Sequence, residues 1–181
     1  MKKIILTIAA VLVFGFANAQ DMKFGVKGGL NSFTVTGQTG EKSKISFQLG
    51  GFAEFKVSDK FAVQPELMYT SQGSKNDFAT TTLNYLNIPV IAKYYVTEDI
   101  SIQAGPQIGL LMSANYDGVD VKDGYKSMDY GLNIGGGYNL NENMTLDLRY
   151  YLGLAQLEKE LAPGESATKN AGILLSFGYK F

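Results

Sequence analysis

Glu54, Glu66, Lys93, Asp147 and Arg149 are the residues through which this 181-residue chain could do electrostatic work, and Lys27 and Asp129 extend the set. Each lies in a stretch where polar and apolar residues alternate, so each is expected on the polar face of a strand. Acids and bases gathered on such faces can line a conduction path as a selectivity ring. Alternatively they pair across an interior that they fill and rigidify, because a buried charge without a partner is costly. Catalysis fits less well. The sequence has no His and no Cys, which removes Ser-His, Cys-His and Asp-His arrangements and the commonest transition-metal ligand. No catalytic, cofactor-binding or metal-binding residue is therefore expected, and the chain reads as a non-enzyme.

Two motifs invite a sharper reading and do not support it. YDGVDVKDGYKSMD, Tyr116 to Asp129, holds several Asp residues but lacks the ligand order and the closing Glu of a calcium loop, so it reads as a solvated acidic loop. Gly135-Gly136-Gly137 opens no helix and is no phosphate cradle; its expected role is to relieve crowding between closely packed strands.

The elements that must position these residues follow from periodicity. Eight segments alternate with period two, at roughly 22–32, 45–57, 61–72, 83–96, 100–113, 128–140, 144–154 and 170–181. Met144, Leu146, Leu148, Tyr150, Leu152 and Leu154 oppose Thr145, Asp147, Arg149, Tyr151 and Gly153 most cleanly. The fourth segment is less regular, with Ile91 and Tyr95 on its nominally polar face. Ser58-Asp59-Lys60, Thr97-Glu98-Asp99 and Asn141-Glu142-Asn143 read as tight hairpin turns. They alternate with long connections at 33–44, 73–82, 114–127 and 155–169. Short turns at one end and long loops at the other describe an eight-stranded antiparallel up-and-down β-barrel.

Volume decides which face points inward. Eight strands with about five apolar side chains each offer about forty, whereas an eight-stranded barrel has room for a filled interior or one small ligand. The apolar face is therefore expected outside, in lipid, with Glu54, Glu66, Lys93, Asp147 and Arg149 forming a polar network in the lumen. A soluble periplasmic carrier, apolar inside, is the arrangement this count disfavours. Charged residues make up 18% of the chain, below the roughly 25% of ordinary soluble domains. Aromatic residues sort by height along the strands. Phe24, Phe55, Phe61, Tyr94 and Tyr138, with Tyr179 and Phe181, fall near one rim, and Phe47, Tyr69, Tyr130 and Tyr150 towards the other. Two such girdles are expected where a transmembrane barrel meets the headgroups.

The first residues have the plan of a secretory signal peptide: Lys2 and Lys3, an apolar run from Ile4 to Phe16, then Ala17-Asn18-Ala19. Residues 1–19 are expected to be cleaved, leaving 20–181 as one barrel domain with 14 basic and 17 acidic residues, a formal net charge of −3. That balance implies no nucleic-acid partner.

GGFAEFKVSDKFAVQPELMY (Gly50 to Tyr69), YLNIPVIAKYY (Tyr85 to Tyr95), QAGPQIGLL (Gln103 to Leu111) and LDLRYYLGL (Leu146 to Leu154) resemble the small outer-membrane β-barrel family, porin-like or PorT-like, of the OmpA and OmpX type. The resemblance implies a protein of the cell outer membrane with periplasmic termini, extracellular long loops and surrounding lipid as its partner. It also implies that Phe177, Tyr179 and Phe181 form the C-terminal signal read by the barrel-assembly machinery. The expected role is structural or surface-interacting, with the lumen plugged by polar side chains. A small porin passing ions or small solutes is the alternative. Asn31, Thr34, Tyr116, Tyr125 and Tyr150 lie in or near the long loops, where an extracellular ligand or partner would bind. Deleting Phe181 is expected to lower the yield of folded barrel and raise periplasmic degradation, as measured by heat-dependent gel mobility of membrane fractions; unchanged folded levels would refute the assembly role.

Overall fold

The structure, a computed structural model, describes residues 22–37, 41–76, 79–160 and 166–181; the expected leader at 1–19 lies outside the described residues. The alternating segments form strands β1 (Met22–Thr36), β2 (Lys42–Ser58), β3 (Phe61–Lys75), β4 (Thr80–Tyr95), β5 (Ile100–Tyr116), the two-residue β6 (Val119–Asp120), β7 (Met128–Asn139), β8 (Met144–Gly153) and β9 (Lys169–Lys180). Each long strand pairs antiparallel with its sequence neighbour. β9 returns to β1 from Gly25↔Lys180 to Thr36↔Lys169, so eight long strands close into a barrel.

Local chemistry ends the strands at the short-turn end. Thr97 Oγ1 accepts from the N–H of Ile100 at 2.9 Å, and Asn141 Oδ1 accepts from the N–H of Asn143 and Met144 at 2.9 and 2.8 Å. Side-chain oxygens that satisfy turn amides in this way compete with continuation of the ladder.

At the other end the strands outrun the apolar alternation. β1 ends at Thr36 and not at 32, β2 begins at Lys42, β3 reaches Lys75, β4 begins at Thr80 and β5 extends to Tyr116. Two of the four expected long loops thereby shrink to residues 37–41 and 76–79. Thr34, Thr36 and Thr80–Thr82 are β-branched and favour strands, but they are polar and hide from a hydrophobic pattern. Asn31 and Thr34 accordingly sit within β1 and Tyr150 within β8, so of the five residues expected in or near loops only Tyr116 and Tyr125 border one.

The extra length changes the sidedness of the wall. Through most of the barrel Leu30, Phe47, Leu49, Ile102, Leu148 and Leu175 face out and are exposed, while Lys27, Gln48, Gln103, Asp147 and Ser176 face in and are buried. Above Asn31 the pattern inverts: Phe33, Val35, Leu83, Tyr85, Leu111 and Ala114 point inward and are buried. The outward positions there include Ser32, Thr34, Thr36, Thr82 and Asn84, with Ile45, Ile173 and Met112 at the boundary, and Asn84 Nδ2 donates to Ser113 Oγ at 2.9 Å. A strand of 15 residues tilted at about 40° spans about 40 Å along the axis, more than the roughly 25 Å apolar band of a membrane barrel. The wall is thus apolar outside in its lower part and apolar inside above it. The interior is not polar throughout, as alternation implied.

The two remaining long connections close the upper mouth. The β5–β7 connection folds into β6 and a single 3-10 turn at Lys122–Gly124, and the described part of the β8–β9 connection meets it through a bridge between Tyr125 and Glu158. Lys126 N–H donates to Leu157 O (2.7 Å), Lys159 N–H to Gly124 O (3.0 Å) and Leu157 N–H to Thr168 O (3.0 Å). Thr168 Oγ1 also donates to the Glu158 carboxylate. These bonds hold Leu157 down inside the apolar upper cluster, with Val121 and Tyr125 packed against it.

β7 passes close to β8 because Gly135 faces it without a side chain. A Cβ on Gly135 would stand 2.1 Å from Leu148 O and 2.7 Å from Arg149 Cα, whereas one on the neighbouring Gly136 meets nothing nearer than Ser101 O at 3.3 Å. Gly135→Ala is therefore expected to destabilise the barrel by about 1–3 kcal/mol through overpacking, and Gly136→Ala to do much less. Urea midpoints of the two refolded variants compare them directly.

Candidate functional site

The polar interior divides into layers. In the middle layer Lys27 Nζ donates to Glu66 Oε1 at 2.8 Å and lies 2.6 Å from Asp147 Oδ2. Arg149 faces the same two acids, 2.9 Å from Glu66 Oε1 and 3.6 Å from Asp147 Oδ2. Gln103 completes the ring: it accepts from Arg149 Nε and donates to Asp147 Oδ1, both at 2.7 Å. Gln64 Nε2 adds a bond to Glu66 at 2.5 Å. Two acids and two bases from β1, β3 and β8 thus neutralise one another, and glutamines take up further polar atoms. The Lys27 ammonium also lies 5.2 Å from the ring centroid of Phe52.

A second cluster lies nearer the short-turn end. Glu54 accepts from Lys93 at 2.9 Å and Tyr95 at 3.2 Å through Oε2, and from Lys180 at 3.0 Å through Oε1. Below it Lys56, Glu98, Asp99 and Glu142 border an open cup of about 540 Å³.

Asp129 belongs to neither cluster. It sits higher, beneath the apolar mouth, where its Oδ2 accepts from Tyr151 OH at 3.1 Å and Asn170 Nδ2 at 3.0 Å. Packing in the interior is tight. The void bordered by Lys27, Glu66, Gln107, Asn133 and Arg149 measures about 10 Å³, room for no more than about one water molecule.

The structure therefore brings Glu66, Asp147 and Arg149 together with Lys27, and Glu54 together with Lys93, in two groups. Lys180, Gln64, Gln103 and Tyr95 also belong to these groups. Their inward parity was readable from alternation, but their partners lie up to 126 residues away in sequence. Of the aromatic positions, Phe24, Phe61, Tyr94, Tyr138, Tyr179 and Phe181 are exposed near the short-turn end, and Phe55 is half-buried. Tyr179 and Phe181 pack edge to face at 5.8 Å. Phe47, Tyr69, Tyr130 and Tyr150 are exposed below the level where the outer face turns polar; the Phe47 and Tyr69 rings lie 6.1 Å apart. Phe177 is exposed on the closing strand.

A closed antiparallel barrel whose middle is apolar outside and ion-paired inside is the build of a membrane-spanning β-barrel. The sequence profile of the outer membrane protein beta-barrel domain matches residues 18–158, and the chain belongs to that family of outer-membrane proteins. Among solved structures, Neisserial surface protein A superposes with a TM-score of 0.66 at 16% identity, over 90% of this chain and 100% of that one. Ail, the attachment invasion locus protein of Yersinia pestis, superposes with a TM-score of 0.56 at 16% identity and the same coverage. At such identities the likeness is one of fold. No curated protein matches the chain significantly in sequence.

Removing one member of a buried ionic group leaves its partner uncompensated, at about 3–5 kcal/mol. Arg149→Ala is expected to fall in that range. Lys122→Ala, on the exposed 3-10 turn and removing a side-chain bond to Met112 O, is expected to change stability by less than about 0.5 kcal/mol. Equal urea midpoints for the two variants would refute a stabilising interior network.

Proposed function

We propose that this outer-membrane barrel is a closed, non-enzymatic scaffold with a structural or surface-interaction role, and that it conducts neither ions nor solutes. The filled interior carries this reading: at mid-height the space left between charged and amide side chains is about 10 Å³, while a conduction path needs a continuous column of water. The mouth above is closed by a second, apolar layer that includes Leu157. A binding surface on such a barrel is then confined to the outer connections, where 117–127 and 154–160 are bonded into one cap. A cap held by backbone bonds presents its exposed residues in a fixed arrangement, which lowers the ordering entropy of binding.

In the proposed orientation residues 1–19 direct export and the short turns and both ends of the barrel face the periplasm. The cap faces outward. Lipid surrounds the apolar middle, with the two groups of outward aromatics at the headgroup levels. Phe177, Tyr179 and Phe181 lie on the strand that must find β1 to complete closure, which suits them to contact the assembly machinery. The decisive experiment is single-channel recording of the refolded protein in a planar bilayer, with folding verified by heat-dependent gel mobility. Silence from folded, inserted protein is the expected result. Discrete and reproducible steps would replace the scaffold with a small porin.

A further inference from the structure

The open cup of about 540 Å³ at the short-turn end takes no part in the closed interior above it. Its wall holds charges of both signs, and strand order sorts them. β9, β1 and β2 are neighbours in the ring and bring Lys180, Lys23 and Lys56 to one side of the mouth. The β4–β5 turn brings Glu98 and Asp99, and the β7–β8 turn brings Glu142. Because β1 and β5 stand four strands apart in a ring of eight, Glu98 and Asp99 lie across the mouth from Lys23. Asp59, in the β2–β3 turn, stands at the edge of the basic side.

The two sides do not neutralise each other. Among the described residues neither Lys23 nor Lys56 forms an ion pair with Asp59, Glu98, Asp99 or Glu142. At the floor Glu54 already takes Lys93 at 2.9 Å and Lys180 at 3.0 Å, and it has Lys23 as its cross-strand neighbour. Lysines there outnumber the carboxylate they surround, whereas Glu98, Asp99 and Glu142 have no base on their own turns. An anion alone would meet carboxylates in this cup, and a cation alone would meet lysines. A molecule that carries both charges at its two ends meets each sign with its opposite.

We propose that the cup binds a short linear peptide with free ends, its carboxylate towards Lys23 and Lys56 and its ammonium towards Glu98, Asp99 and Glu142. The volume lies within the roughly 300–1,000 Å³ of small-ligand sites. Peptide units between the two ends suit the rest of the lining, where Asn139 and Asn141 carry side-chain amides and Tyr95 a phenol. Most of the charges are exposed to solvent, so each ion pair adds little, and affinity comes from engaging both ends at once. Binding of this kind is independent of whether the lumen conducts. In the orientation proposed above, the cup opens to the periplasm.

The test is two-dimensional NMR of the refolded, isotope-labelled mature barrel in detergent micelles, titrated at fixed ionic strength with triglycine, N-acetyl-triglycine or triglycine amide. Triglycine is expected to give saturable shifts in the backbone amides of turns 97–99 and 139–143 and none in the cap. The other two probes, each lacking one of the end charges, are expected to bind about fivefold more weakly. Lys56→Gln and Glu142→Gln, both at exposed positions outside the buried ion pairs, are expected to fold and each to weaken triglycine about threefold. The proposal is overturned by any of three results: no saturable shift at these turns, equal affinity for the three probes, or unchanged triglycine affinity in both variants.

Discussion

Closure is the constraint on which the rest of this structure depends. Within a bilayer no water is available to satisfy backbone N–H and C=O groups, so a spanning sheet must have no open edge. With eight strands the circle is small, and its interior is only wide enough for side chains. Once the outer face has taken up apolar residues, alternation leaves the polar ones to fill that narrow space. Their charges must then be matched inside it, because no solvent can match them.

The two lower layers show how tightly that requirement binds distant parts of the chain. Lys27, Glu66, Gln103, Asp147 and Arg149 come from four strands and form one ring of contacts at 2.6–3.6 Å. Glycine makes this possible on the β7 side, where Gly135 lets the Arg149 backbone approach. A barrel filled in this way gains rigidity. The cap made from the described parts of the two long connections closes its upper end.

The inversion of sidedness above Asn31 has a simple cause. Below it the outside solvent is lipid and apolar residues face out; above it the outside solvent is water, and the same strands bury Phe33, Val35, Leu83 and Tyr85 as an ordinary soluble sheet would. One strand such as β1 therefore carries two patterns in sequence. The change in pattern marks the upper limit of the apolar outer face, and the exposed aromatics Phe47, Tyr69, Tyr130 and Tyr150 lie beneath it.

Period two and the tight turns were enough to establish from sequence the strand number, the antiparallel order and the polar middle of the interior. Those features are local or volumetric: parity follows from every second residue, and forty apolar side chains cannot fit inside eight strands. The upper ends of five strands escaped that reading, because Thr34 and Thr80–Thr82 favour strands through β-branching and not through hydrophobicity. Leu157 escaped it as well, since nothing local distinguishes a loop leucine that enters the mouth from one that stays outside. Only the tertiary structure decided which charges meet. The pairing of Lys180 with Glu54, and the meeting of Asp129 with Tyr151 and Asn170, depend on register and shear around a closed ring. These are set by all eight strands together, and no single stretch of sequence contains them.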